Sequence, residues 1–239
     1  MAGSGVPLQE DSPLPQVLVV DDDHSVRALV EFYFRGAPWA AVFTVDGTHA
    51  LAAFRSQGFA LVLLDLEMPV LGGEATAKAM RHAEAETGQR PAVILALSAH
   101  MADDCPVSPY FDGSVAKPFT RLSLMGAVER ALGLDAGLPK ASTADIPCGD
   151  NEETDPALRP LLPKLFESVA ELAADAAAGL ECGDMKAVAR AGHKIRGAAS
   201  CFKVRALSEA AALLEQAAEK QNAAEAAAAL DTVASILLG

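Results

Sequence analysis

The sequence predicts two domains, a parallel α/β sheet followed by an all-helical antiparallel bundle. Three observations carry this. Short apolar runs alternate with helical patterns from residue 16 to 134, the pattern of a parallel sheet covered on both faces. From Asp155 onward apolar residues recur only at helical spacing. Between them, Asp135 to Thr154 mixes Gly, Pro, Ser, Thr and acids without period, as a flexible connection does. The expected division is a lead-in over 1–15, an α/β domain over 16–134, an acidic linker over 135–154 and a helical domain over 155–239.

In the first domain Gln16 to Val20 is an apolar strand that runs into Asp21-Asp22-Asp23. A helical pattern from Ser25 to Arg35, a strand from Ala41 to Val45 and a helix from Thr48 to Ser56 follow. Leu61 to Leu64 is apolar throughout, so it reads as a central strand buried on both faces; it ends in Asp65 and the chain breaks at Pro69. A helix from Gly73 to Glu86, a strand from Ala92 to Leu97 ending in Ser98, a strand from Ser114 to Ala116 ending in Lys117-Pro118, and a helix from Leu122 to Leu132 close the unit.

These strand ends share one edge of the sheet, where open α/β sheets bind ligands. Three carboxylates, Asp21, Asp22 and Asp65, with the hydroxyl of Ser98 and the ammonium of Lys117, are costly together unless charge is balanced. A divalent cation on the three carboxylates relieves the repulsion, and oxygen ligands with room for water suit Mg²⁺ (or Mn²⁺). The remaining groups fit phosphoryl transfer, with Asp65 as nucleophile and Lys117 and Ser98 placed to stabilise phosphoryl oxygens. Asp23 reads as a solvated residue that begins the next helix.

Composition narrows the classes. A net charge of −13 over 239 residues argues against general binding to nucleic-acid phosphates. Cys105, Cys148, Cys182 and Cys201 have no metal-ligand spacing, so reduced thiols and a cytoplasmic setting are expected. No apolar run reaches membrane-spanning length, and Met1 to Pro15 has no signal-peptide pattern. Charge is uneven, however: Met185 to Ser208 holds six bases and no acid.

The segments VLVVDDD, LVLLDLEMP with Gly73, ILALSAH and VAKPF resemble the receiver domain of two-component signalling. The resemblance implies a flavodoxin-like fold, with Asp65 as phosphoacceptor, Asp21 and Asp22 as the acidic pair and Ser98 as the switch hydroxyl. It also implies Lys117 as the phosphate-binding lysine behind a cis peptide, a backbone carbonyl of Glu67 on the metal, and Glu67 and His100 as modulators of acyl-phosphate lifetime. Two departures stand out. Ser114 occupies the place where receivers commonly carry Tyr or Phe. The Ser98-to-Lys117 segment is about one helical turn short and carries Pro106 and Pro109. Both fall on the face used for output, which points to a receiver that passes phosphate on and does not switch an attached effector.

In the second domain Pro156, Pro160 and Pro163 make an irregular start. Leu165, Val169, Leu172 and Ala176 line one face of a first helix, and Gly183-Asp184 begins a second that runs to about Phe202. Two more, Ala206 to Lys220 and Ala223 to Leu238, complete a four-helix bundle. Met185, Val188, Ile195, Ala199 and Phe202 share the core face of the second helix. His193 lies about 200° from Ile195, hence towards solvent. Lys186, Arg190 and Arg196 flank that surface, Lys194 lies at its margin, and Gly197 leaves the ring sterically open. An exposed imidazole among cations suits attack on an anionic phosphoryl group.

AGHKIRGAASCF resembles the active-site helix of histidine-containing phosphotransfer (HPt) domains. This implies His193 as the phosphorylated residue, with Arg196 in place of a usual lysine and Lys203 where many members carry glycine. His24, His49 and His82 have no such surroundings. Receiver followed by HPt resembles the tail of a hybrid sensor kinase. Together the resemblances imply a phosphorelay intermediate served by a sensor histidine kinase and a downstream response regulator, with a possible contact between its own two domains. No nucleotide-binding kinase module fits in the chain. The rival readings are a non-catalytic scaffold or phosphate sink, and an aspartate-nucleophile phosphohydrolase, which would place its nucleophile after the first strand.

Overall fold

The structure, a computed structural model, describes residues 14–88, 90–98, 108–134 and 156–238. The linker, His100, Cys105, Cys148 and residues 99–107 of the shortened segment before Lys117 therefore lie outside the described residues.

Five strands form one parallel sheet: β1 (Gln16–Val20), β2 (Ala40–Thr44), β3 (Leu61–Asp65), β4 (Val93–Ser98) and β5 (Gly113–Ala116), in the order β2-β1-β3-β4-β5. Side chains alternate across it, as strand geometry requires. Val17, Val19, Leu61, Leu63, Leu95 and Leu97 pack beneath α1 (His24–Tyr33) and α4 (Arg121–Leu132). Leu18, Val20, Val62, Leu64 and Ile94 pack beneath α2 (Gly47–Ser56) and α3 (Gly73–Thr87). β3 is buried at every position, as its unbroken apolar run predicts.

A 3-10 turn at Pro156–Leu161 leads into α5 (Leu162–Cys182), α6 (Met185–Cys201), α7 (Arg205–Glu219) and α8 (Ala223–Leu238), the expected bundle. The prolines spoil only the entry, because α5 takes up regular bonding once Pro163 has passed through its first turn. Asp184 caps α6 by accepting from the amides of Lys186 and Ala187. Lys203 ends that helix at φ 59°, the left-handed conformation that glycine adopts without steric cost. No helix among the described residues is long and apolar enough to cross a membrane.

The two units share a core. Val26, Leu29 and Val30 of α1 belong to the same apolar cluster as Leu158, Leu165 and Val169 of the bundle. Each fully buried aliphatic side chain of this kind contributes about 1.5–3 kcal/mol through removal from water. Polar contacts follow the same seam. Ser168 Oγ on α5 donates to Asp23 Oδ1 at 2.8 Å, and His24 Nε2 lies 3.8 Å from Glu167 Oε2. Asp23 does cap α1, accepting from the Ser25 amide at 2.8 Å, and also ties the two units together.

Candidate functional site

The sheet register assembles the acidic edge. β1 pairs with β3 so that Val20 lies opposite Leu64, and one step on Asp21 arrives beside Asp65. Asp65 pairs with Leu97, which puts Ser98 next along the edge, and Ser98 pairs with Ala116, which brings Lys117 up after it. β1 and β3 are also where the strand order reverses, the crevice in which doubly wound sheets bind ligands. Behind Asp65, Gly73 lets α3 begin against the backbone: a Cβ there would sit 2.2 Å from the Asp65 carbonyl oxygen.

Lys117 follows β5 and precedes a cis peptide to Pro118, as the resemblance implies. Its ammonium is 2.8 Å from Asp21 Oδ2 and 3.1 Å from Asp65 Oδ1. Burial works to lower the lysine's pKa, and the two carboxylates more than reverse that, so the net direction is upward. Asp21 is fully enclosed, and burial pushes its carboxyl up to about 7 although Lys117 opposes the change. Burial raises Asp22 as well, against the pull of Lys194. One oxygen from each of Asp21, Asp22 and Asp65 lies within 4.8 Å of the others. Asp22 Oδ1 is buried with no hydrogen-bond partner among the described residues. Three hard carboxylates, one with an unanswered buried oxygen, fit a divalent cation of the Mg²⁺ or Mn²⁺ type.

The bundle closes this edge. Asp21, Asp22, Asp65, Glu67, Ser98 and Lys117 border a cavity of about 60 Å³ whose other wall is His193, Lys194 and Gly197. Helical spacing predicts His193 towards solvent, and the structure corrects this. It does point away from the bundle core, but the acidic sheet edge covers it and leaves its side chain 12% exposed. Periodicity on one helix identifies the outward face and carries no information about a second domain lying on it. Glu67 Oε1 is 3.5 Å from His193 Nε2.

The basic residues around His193 divide. Lys194, placed at the margin by spacing, lies at the centre of the contact, its ammonium bonded to Asp22 Oδ2. Arg196 turns to Glu215 at 3.1 Å. Arg190 and Lys186 are exposed; Arg190 borders a wider cleft of about 850 Å³ between the Glu67–Pro69 turn and α5–α6, and Lys186 lies outside both cavities. A Cβ added at Gly197 would meet nothing within 4 Å, so the space beside the imidazole is open as expected.

Two further residues build the histidine's setting. Glu215 on α7 is buried, and its Oε1 lies 2.7 Å from His193 Nδ1. A carboxylate only accepts, so the ring proton belongs on Nδ1 and the Nε2 lone pair faces the cavity. Gly192 lets α6 approach α7 there, since a Cβ would meet the Glu215 amide nitrogen at 2.8 Å. The signal for Glu215 was available: it interrupts the buried stripe Leu207, Ala211, Leu214, Ala218, where an acid is unusual without a partner.

Chemically, the arrangement sets carboxylates, ammonium counter-charges and an imidazole around one small volume, a set of groups that phosphoryl transfer between oxygen and nitrogen can use.

Comparison with known proteins agrees with the two-part architecture. Residues 17–129 match the family described as the response regulator receiver domain, and residues 160–238 match the Hpt domain family. Sensor protein GacS of Pseudomonas syringae pv. syringae is 33% identical over 136 residues, covering 56% of this chain and 15% of that protein. Transcriptional regulatory protein PrrA of Mycobacterium bovis is 30% identical over 148 residues, 61% of each. The chain thus spans less than two thirds of the length of these relatives. Among solved structures, Vibrio cholerae chemotaxis protein CheY4 is 26% identical with a TM-score of 0.42, over 50% of this chain and 99% of that one. The complex of Saccharomyces cerevisiae Ypd1 with the receiver domain of Ssk1 is 23% identical with a TM-score of 0.48, over 55% of this chain and 97% of the matched chain.

Proposed function

We propose that this chain, which belongs to the two-component phosphorelay proteins through a receiver domain at residues 17–129 and an Hpt domain at 160–238, carries phosphate between its own Asp65 and His193. The observation that supports it is the shared cavity bordered by Asp65, Lys117 and His193.

In this reading a carboxylate oxygen of Asp65 attacks the phosphorus of a sensor kinase's phosphohistidine, forming a P–O bond as the P–N bond breaks. The electron pair returns to the kinase imidazole. Lys117 stabilises the phosphoryl oxygens, and Ser98 on the same cavity wall donates to one of them. His193 then attacks through Nε2: an N–P bond forms, the P–O bond breaks, and the pair returns to the Asp65 carboxylate. The resulting ring is cationic, its Nδ1 proton held on Glu215. A downstream response regulator removes the group by the reverse chemistry on its own aspartate, and the transfer to and from Asp65 is reversible. Asp21, Asp22 and Asp65 would hold Mg²⁺, with the Glu67 carbonyl as a further ligand, and the ion would neutralise charge on the phosphoryl group. Glu67, beside His193, and His100 would modulate acyl-phosphate lifetime, and the exposed Lys186 and Arg190 would meet the partner regulator. A cytoplasmic location accords with the free thiols Cys182 and Cys201.

Phosphotransfer profiling against candidate kinases and regulators tests the reading. Wild type should accept from a kinase and pass to a regulator. Asp65→Asn should fail to accept from that kinase, and His193→Gln should accept and fail to pass. Acceptance by neither domain from any kinase or phosphodonor would exclude it.

A further inference from the structure

The acidic edge is met by two ammonium groups among the described residues, one from each domain. Lys117 answers Asp21 at 2.8 Å and Asp65 at 3.1 Å. Asp22 is answered by Lys194, one residue beyond His193 on α6, and both side chains are 19% exposed. The second Asp22 oxygen, Oδ1, is buried without a hydrogen-bond partner among the described residues. The carboxylate that completes the candidate metal site is therefore the same one that anchors the histidine helix.

Charge decides which cations can share it. When all three carboxylates of the cluster are ionised, Lys117 and Lys194 leave one negative charge. A divalent cation with Lys117 alone balances them. Counted over the cluster alone, cation and both lysines together leave one positive charge at a cavity of about 60 Å³; of the other carboxylates on its border, Glu67 is half exposed and Asp23 is bonded to Ser25 and Ser168. A phosphoryl group on Asp65 alters the sum. An acyl phosphate carries about two negative charges where the free carboxylate carries one. Two carboxylates and the phosphoryl group then balance a divalent cation and both ammonium groups.

We propose that Lys194 is a charge-sensing positioning residue: it competes with the divalent cation for Asp22 while Asp65 is bare, and returns to Asp22 alongside the cation once Asp65 carries phosphate. Because Lys194 neighbours His193 on one helix, its return seats the imidazole over a loaded Asp65, and its release by the cation frees an unloaded receiver for the kinase. The coupling is reciprocal: whatever factor docking takes from cation affinity, the cation takes from docking. This rests on reading the Asp21–Asp22–Asp65 cluster as the cation site.

The test is a calorimetric titration of the full chain with Mg²⁺, comparing wild type, Lys194→Met and Lys194→Arg, each with and without beryllofluoride as the phosphoryl mimic. Without the mimic, Lys194→Met should bind Mg²⁺ about 10-fold more tightly than wild type, and Lys194→Arg, which keeps the charge, should resemble wild type. With the mimic the advantage of Lys194→Met should vanish. Equal affinities of wild type and Lys194→Met without the mimic overturn the proposal, as does an advantage that persists undiminished with it. In either case the relay reading stands if Asp22→Asn weakens Mg²⁺ binding. Mg²⁺ binding that ignores Asp22→Asn overturns the cation site and the proposal with it.

Discussion

His193 Nδ1 and Glu215 Oε1, 22 residues apart and on different helices, meet at 2.7 Å inside the bundle's contact with the receiver. Because a carboxylate accepts, the bond favours the ring proton on Nδ1, while Nε2 lies on the side of Glu67 and the shared cavity. Glu215→Ala should slow phosphate gain at His193 by about 100-fold, since a misoriented nucleophile forfeits its alignment. Glu215→Gln keeps an acceptor oxygen and should retain most of the rate. Single-turnover transfer from phosphorylated receiver measures both. Equal loss in the two variants would mean that His193 needs the negative charge and not merely an acceptor oxygen, and no loss in either would mean that Glu215 does not orient the ring.

Two glycines on the same helix should respond with opposite signs. A Cβ at Gly192 meets the Glu215 amide nitrogen at 2.8 Å, whereas one at Gly197 meets nothing within 4 Å. Gly192→Ala must push α6 and α7 apart, and it should destabilise the protein by about 1–3 kcal/mol. Gly197→Ala removes a helix-interior glycine and should stabilise it by roughly 0.5–1 kcal/mol. Urea unfolding of both variants checks the pair.

Cys201 supplies a pH dependence. Its thiol lies where α6 meets the Phe119 backbone, and burial pushes its pKa from 9.0 up to about 11, with the Phe119 amide and Lys117 working the other way. A raised pKa in the folded state stabilises fully below the unfolded value and loses that contribution as pH rises through the folded one. The stability of wild type relative to Cys201→Ala should therefore fall between about pH 9 and 11, by up to about 2–3 kcal/mol. A difference that stays flat across that window contradicts the burial of the thiol.

The fold was largely legible because its signals are local. The apolar run ending in Asp65 had to be a central strand, and once five strands alternate with helices their polar ends must share an edge. The cluster of Asp21, Asp22, Asp65 and Lys117 followed from that rule, and the distances agree. What the sequence withheld is relational. Nothing in the spacing of α6 says that Lys194 finds Asp22, 172 residues away, or that Ser168 finds Asp23. Those contacts depend on how two amphipathic surfaces meet, and a helical period records only that such a surface exists. Glu215 lies between the two cases: its unusual place in a buried stripe marks it, but its partner comes from another helix.

The most direct measurement follows a single phosphoryl group through the intact chain. With Mg²⁺ and radiolabelled acetyl phosphate, label should appear first as a base-labile acyl phosphate and then as an acid-labile phosphohistidine. Asp65→Asn should abolish both forms, and His193→Gln should leave only the first. Acid-labile label accumulating on His193 at an undiminished rate in Asp65→Asn, or acyl phosphate that never passes on in wild type, would contradict a path from Asp65 to His193.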